Sequence, residues 1–215
     1  MLEKLGKPGY ETISHPDAKT LECLDIVMKK NPTPVFYEVG VGIGATTLPV
    51  AQKLNNKGEI LIFSRMNDVQ ELAKDLKDRG FTNIKEWGSP YNTFSGYHFD
   101  LAMGMHEGKL PKFDVAYLDG GHIFHLDAPA ACVLKELCKP GGFIVFDDYS
   151  WSYARSPGLN PKKRSATSVE FEPRQIETCH IQLVCSIVMD TDTRFKCIGI
   201  YDQATAVYQK ISESR

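Results

Sequence analysis

The chain lacks most of the features that would assign it to a special environment. Its 215 residues include only two tryptophans, no C-x-x-C pair and no unbroken apolar run of membrane-spanning length. The six cysteines are Cys23, Cys132, Cys138, Cys179, Cys185 and Cys197, and most fall inside apolar periodic segments. They read as reduced core thiols of a cytoplasmic protein, not as a disulfide framework or a zinc site. The formal net charge is −2. No global field recruits nucleic acid or an anionic membrane, so neither is an expected partner. The start, Met1-Leu2-Glu3-Lys4, is polar and has no leader-like apolar stretch, so neither a secretion signal nor a membrane anchor is expected. Internal repeats and low-complexity stretches are missing as well. What remains is 42% hydrophobic and 24% charged, an ordinary globular composition at a length that suits one domain.

Helical and β-favouring segments alternate along this chain. Leu21, Leu24, Val27 and Met28 predict a helix over 17–30, with Pro16 in its first turn. Strands are predicted over 35–39, 59–63, 83–87 and 113–118, with helices over 45–54, 69–79, 97–107 and 126–138 between and after them. Gly80 reads as the C-cap of the third helix. Lys139-Pro140-Gly141-Gly142 reads as a sharp turn into a strand over 143–146. Such alternation implies right-handed crossovers and a mostly parallel sheet. The pattern then changes. Residues 150–168 form a long polar segment, a candidate lid or substrate loop. A helix is predicted over 173–189, with Ile176, Leu183 and Ile187 on one face. Two last strands, 195–201 and 204–211, are separated only by Asp202-Gln203, which forces an antiparallel hairpin. The expected organisation is one domain over 1–215: an N-terminal helical segment (1–34), a cofactor-binding core (35–148), a candidate substrate loop (149–172) and a C-terminal helix with hairpin (173–215).

Glu38-Val39-Gly40-Val41-Gly42-Ile43-Gly44 stands where the first strand turns into a helix. Glycines there admit positive φ and let a ligand approach the backbone. The acid before them suits a cofactor with a cationic amino group or free hydroxyls and repels a pyrophosphate. In this motif, in the strand Phe113-Asp114-Val115-Ala116-Tyr117-Leu118-Asp119-Gly120 and in Leu137-Cys138-Lys139-Pro140-Gly141-Gly142, the chain resembles the class I S-adenosylmethionine-dependent methyltransferases. The resemblance runs over nearly the whole chain. It implies a Rossmann-like α/β fold with a seven-stranded, mostly parallel sheet, and S-adenosylmethionine held by Glu38, Gly40, Gly42 and Gly44. Two positions depart from the family pattern. The acid expected after the second strand is Ser64, followed by Arg65, and the Gly-Asp expected after the third is Gly88-Ser89. Serine still hydrogen-bonds but without a charge-assisted contact, and Asp68 is a candidate substitute. The rival reading is an NADP-dependent oxidoreductase. Gly40-x-Gly42-x-x-Ala45 also meets the relaxed dinucleotide fingerprint, and Arg65 would face a 2′-phosphate.

Asp119-Gly120-Gly121-His122 follows the fourth strand and Asp147-Asp148-Tyr149 the fifth. In a parallel sheet both emerge at the carboxyl edge, where ligands bind. Converging carboxylates are unfavourable without a cation, and oxygen donors suit Mg²⁺, Mn²⁺ or Ca²⁺ better than zinc. This pattern is similar to the small sugar O-methyltransferases of the macrocin O-methyltransferase type. The resemblance implies Asp119, Asp147 and Asp148 as ligands of Mg²⁺ or Mn²⁺, Asp119 also facing the cofactor, and a small-molecule hydroxyl as acceptor. The group's usual base position is Gly121 here, which leaves His122 as the candidate base. His125 reads as solvated or capping, and His15, His98, His106 and His180 as surface or semi-buried residues. Tyr149, Trp151 and Tyr153 are candidates to stack on an acceptor or to pack the loop. Lys162-Lys163-Arg164 reads as a solvated loop face. A binding protein that keeps the fold without catalysis is a third reading, and self-association stays open.

Overall fold

The computed structural model describes residues 1–90 and 96–212. Seven strands form one sheet: β1 (Val35–Val39), β2 (Glu59–Arg65), β3 (Ile84–Ser89), β4 (Phe113–Leu118), β5 (Cys138–Phe146), β6 (Phe195–Tyr201) and β7 (Thr205–Lys210). Their order is β3-β2-β1-β4-β5-β7-β6. The first five run parallel, and β7 is antiparallel to both its neighbours. The parallel strands are joined by α2 (Thr47–Leu54), α3 (Met66–Asp78), α4 (Tyr97–His106) and α5 (Phe124–Leu137), and α1 (Ala18–Met28) precedes them. Successive β1 side chains point to opposite faces. Tyr37 and Val39 enter the core shared with α4 and α5, while Phe36 enters the core shared with α1, α2 and α3. Every β4 residue is buried, as a sheet covered on both faces requires.

Several local features follow the sequence closely. Asp17 caps α1, its Oδ1 accepting from the Thr20 amide at 2.5 Å. The helix therefore begins at Ala18, and Pro16 lies outside it. Gly80, at φ +90°, lets the Phe81 amide reach back to the Leu76 carbonyl at 3.0 Å, which closes α3. Among the described residues, no helix is long and apolar enough to cross a membrane.

Other expectations are corrected. Lys139 to Gly142 do not form a turn ahead of the strand but belong to β5, where a register irregularity opposite Phe113 absorbs them. A Cβ on Gly142 would come within 2.8 Å of the Asp114 carbonyl. The span 173–189 is not one helix. α7 (Pro173–Glu177) starts from a Glu172/Gln175 capping box, Thr178 is extended, α8 covers His180–Val184 and a π turn covers Cys185–Met189. A continuous helix would offer the Gln175 carbonyl to residue 179; here it faces His180 Nε2 at 2.8 Å. The break turns the apolar stripe, so Ile187 is exposed and Leu183 half-buried, while Ile181, Val184, Cys185 and Val188 pack inward. His180 itself is buried.

The loop over 150–168 is bonded to itself. It holds a 3₁₀ turn at Tyr153–Arg155 and leads into α6 (Thr167–Glu170). Thr167 Oγ1 donates to the Leu159 carbonyl at 2.7 Å, and Ser152, Tyr153 and Ser156 are buried. Among the described residues, no disulfide joins the six cysteines. Cys23, Cys138 and Cys185 are core thiols, but Cys132 and Cys197 are exposed.

Candidate active site

Strand register builds the site. Val39 pairs with Leu118, and Leu118 with Phe146, so the carboxyl ends of β1, β4 and β5 are level. One further bond extends each ladder: the Asp119 amide donates to the Val39 carbonyl at 2.8 Å, and the Asp147 amide to the Leu118 carbonyl at 3.1 Å. Gly40, Asp119 and Asp147 thus leave the sheet side by side. They border a cavity of about 750 Å³, a size suited to a small ligand. Glu38, Gly42, Ser64, Ser89, His122 and Asp148 also line it.

The glycines divide into two groups. Gly40 is at φ +85°, and a Cβ there would collide with the Asp119 carbonyl, so it joins two strand ends. Gly42 is at φ +48°, faces the cavity and has open space around its Cα. Gly44 and Gly88 do not line the cavity. A Cβ on Gly44 would meet Leu72 and Leu2 at 2.6 and 2.7 Å, and one on Gly88 the Met66 Cα at 2.7 Å. Gly88 is a glycine because the Met66 backbone presses against it, and Gly44 because its φ of +85° disfavours any side chain, with the two leucines crowding it as well. Ser89 is buried and donates to the Asp100 carboxylate. Ser64 lines the cavity beside Arg65 and Asp68, which are paired at 2.8 Å.

Glu38 is only 2% exposed. Its Oε2 has no hydrogen-bond partner among the described residues. Burial pushes the carboxyl up to about 8, opposed by the neighbouring Thr47 side chain. Asp119 is raised well above the usual carboxylate range, first by burial and then by the charges of Asp147, Asp148 and Glu38. Burial also raises Asp147, against the Tyr117 hydroxyl that donates to its Oδ2 at 2.8 Å. The same hydroxyl lies 3.4 Å from Asp119 Oδ2. His122 Nε2 is 3.2 Å from Asp148 Oδ2 and 3.7 Å from Asp119 Oδ1. One donor atom each of Asp119, His122 and Asp148 lies within 4.8 Å of the others. Asp147 is engaged by Tyr117, so His122 completes this compact trio.

Of the aromatics after β5, Trp151 reaches the cavity, its ring 5.6 Å from that of His122. Tyr153 is buried against Phe171, ring centroids 4.4 Å apart, and Tyr149 packs on the core. Arg164 pairs with Glu170, Lys162 and Lys163 are exposed, and His125 is exposed. Some lining residues were not singled out as site residues in the sequence: Thr12, Ile13 and His15 from the N-terminal segment, Tyr97 from α4 and Tyr117 from β4. Tyr117 was legible as part of a buried strand, but its hydroxyl reaching past the strand end was not.

A parallel sheet ending in an antiparallel hairpin, with an acid-led glycine loop after β1 and acids after β4 and β5, is the Rossmann-like class I methyltransferase fold. The chain belongs to the methyltransferase-domain family, whose model matches residues 37–149, over half of its length. That match displaces the dinucleotide reading of the glycine loop. Solved structures share the fold at low identity. The O-methyltransferase TomG of Streptomyces achromogenes, involved in tomaymycin synthesis and in complex with SAM, has a TM-score of 0.62 and 13% identity over 98% of this chain and 89% of its own. The methyltransferase PaMTH1 of Podospora anserina, bound to SAH, has a TM-score of 0.59 and 14% identity over 93% of this chain and 83% of its own. No curated protein matches the chain in sequence.

Proposed function

We propose that the protein transfers the methyl group of S-adenosylmethionine to a hydroxyl of a small-molecule acceptor, a sugar or related natural product. The observation that carries this reading is the buried Glu38 carboxyl, whose Oε2 has no partner among the described residues and which borders the same cavity as the open Gly42 backbone. A buried carboxylate oxygen without a partner among the described residues calls for a cationic or donor-rich ligand, and the cofactor's amino group is one. Ser64, Ser89 and Asp68 offer polar groups for its adenosine end.

Bound S-adenosylmethionine supplies an activated methyl carbon on a sulfonium. The protein's own part is to align the acceptor oxygen with that carbon and to take its proton. His122 is the group for the proton, with Asp148 beside Nε2 to stabilise the imidazolium. Trp151 offers a flat surface for the acceptor at the same end of the cavity. The closeness of Asp119, His122 and Asp148 favours a second reading, in which these three hold Mg²⁺ or Mn²⁺. Two carboxylates suit either ion, and the imidazole favours the transition ion Mn²⁺ over Mg²⁺; Asp119 is raised in part by uncompensated neighbouring carboxylates. Such an ion, when bound, would acidify an acceptor hydroxyl.

The test is calorimetry with S-adenosylhomocysteine and NADP, followed by transfer of labelled methyl to a panel of hydroxyl compounds. Binding of S-adenosylhomocysteine and label in an alkali-stable ether are the expected results; binding of NADP alone would overturn the reading. His122→Ala should lower turnover about 10²- to 10⁴-fold with cofactor affinity near wild type. If affinity falls instead and turnover at saturating cofactor holds, His122 is a cofactor contact and the base role is withdrawn.

A further inference from the structure

His122 has φ +53°, a left-handed conformation that is uncommon for a non-glycine residue, although histidine adopts it more readily than most, and its surroundings hold it there. The amides on either side of it are both captured by side chains from elsewhere. The Gly121 amide donates to the Tyr97 hydroxyl at 2.8 Å, and the Ile123 amide to Asp127 Oδ2 at 2.9 Å. The two acceptors are joined, since the Tyr97 hydroxyl donates to Asp127 Oδ1 at 2.5 Å. Asp127 is fully buried. A third side chain takes the next amide: Phe124 N–H donates to His180 Nδ1 at 3.1 Å, while His180 Nε2 faces the Gln175 carbonyl. Space is reserved for this arrangement. A Cβ on Gly120 would collide with the Tyr97 hydroxyl and stand 2.6 Å from Asp127 Oδ1. That glycine is needed for room, not for a left-handed backbone.

A first-turn acid that reaches back to the N-cap amide, as in half of a capping box, would explain the bond from Ile123 to Asp127 at the start of α5. It does not explain why Tyr97, from α4, reaches across a side-chain-free Gly120 to hold Gly121. We propose that Tyr97 and Asp127, backed by His180, are positioning residues that impose the left-handed His122 and so keep its imidazole between Asp119 and Asp148. The consequence for turnover rests on the methyltransferase reading; the clamp itself does not.

Tyr97→Phe removes one hydroxyl and keeps the ring. Affinity for S-adenosylhomocysteine should fall much less than kcat, although Tyr97 lines the cavity, because Glu38 and the glycine loop are untouched. Exchange of the Gly121 amide, followed by NMR, should be about tenfold faster for the loss of one hydrogen bond, and the His122 imidazole Cε1–H signal should shift. In the transfer assay kcat should fall about 10- to 100-fold with little change in KM for S-adenosylmethionine. A folded variant with an unaltered His122 signal and kcat overturns the proposal, and so does an equal fall in S-adenosylhomocysteine affinity, which marks a general structural role. Should Tyr97→Phe fail to fold, Asp127→Asn keeps the shape and gives the same readouts. Failure of the methyltransferase reading shows separately, as a wild-type protein that binds no S-adenosylhomocysteine, while the exchange and imidazole signals still report on the clamp.

Discussion

Replacing Glu38 with glutamine should stabilise the ligand-free protein at alkaline pH and weaken cofactor binding. Burial lifts this carboxyl from 4.5 to about 8. At about 1.4 kcal/mol per unit, the shift corresponds to about 3 to 5 kcal/mol once both folded and unfolded states are ionised. The sign follows from the protons. Between 4.5 and about 8 the unfolded chain has released this proton and the folded protein has kept it, so rising pH favours unfolding. The stabilisation is fully present below the lower value and lost above the upper one. Glutamine has the shape of the protonated acid and does not titrate. The two proteins should therefore be of similar stability near pH 5 and differ by about 3 to 5 kcal/mol, in favour of the variant, near pH 9. Urea unfolding followed by circular dichroism at both pH values measures this; the raised Asp147, present in both proteins, largely cancels, and losing the Glu38 charge that helps raise Asp119 adds to the difference in the same direction. Parallel pH profiles would refute the reasoning. The same carboxyl should respond to ligand: an ammonium against Glu38 favours the ionised form, so binding of S-adenosylhomocysteine near neutral pH should expel about one proton. Heats in two buffers of different ionisation enthalpy report it, and Glu38→Gln should show no such release.

Gly42→Val places a branched side chain at φ +48° in the open mouth of the cavity. It should lower stability by about 1 to 3 kcal/mol and remove the thermal shift produced by S-adenosylhomocysteine; a retained shift would mean that the ligand lies elsewhere. If the acids hold a divalent ion, chelation should lower activity and Mn²⁺ restore it. Paramagnetic resonance should show weaker Mn²⁺ binding in Asp119→Asn and Asp148→Asn than in Asp147→Asn, whose carboxylate is bonded to Tyr117. An equal loss in Asp147→Asn would put that residue in the ligand set.

The fold was legible because its signals are local and repeated. Alternation of apolar strands with helical spacing predicts the parallel sheet, and two residues between β6 and β7 allow only a hairpin. The failures have non-local causes. A single periodic stripe over 173–189 is interrupted because His180 takes up the Gln175 carbonyl, a partner chosen by tertiary packing. Pro140 and the glycines beside it are ordinary turn residues, yet here they are carried within β5, whose partner strand shifts register to admit them.

The site was legible as a set of strand-end acids and glycines, but the roles of the glycines were not. Gly40, Gly42 and Gly44 look alike in sequence, yet only the first two border the cavity, and Gly44 is held against Leu72 and Leu2. A glycine shows that something excludes a side chain; which atom does so lies elsewhere in the chain. Asp119-Gly120-Gly121-His122 carries the same ambiguity. By resemblance, Gly121 reads as a position that has lost its base. In the structure the Gly121 amide is the donor that Tyr97 captures, and Gly120 is empty so that the Tyr97 hydroxyl can pass. Tyr97 and Asp127 are 30 residues apart, and neither belongs to a motif. Their partnership is visible only as the geometry that holds His122 left-handed. An imidazole one residue beyond the base position that the resemblance implies is therefore held by this clamp, and an aspartate at Gly121 would in addition bring its Cβ to 3.0 Å from the Leu126 Cδ1 methyl, which would have to give by a few tenths of an ångström. In this chain the packing of the loop, as much as the chemistry of imidazole, singles out position 122 for the side chain that reaches the acids.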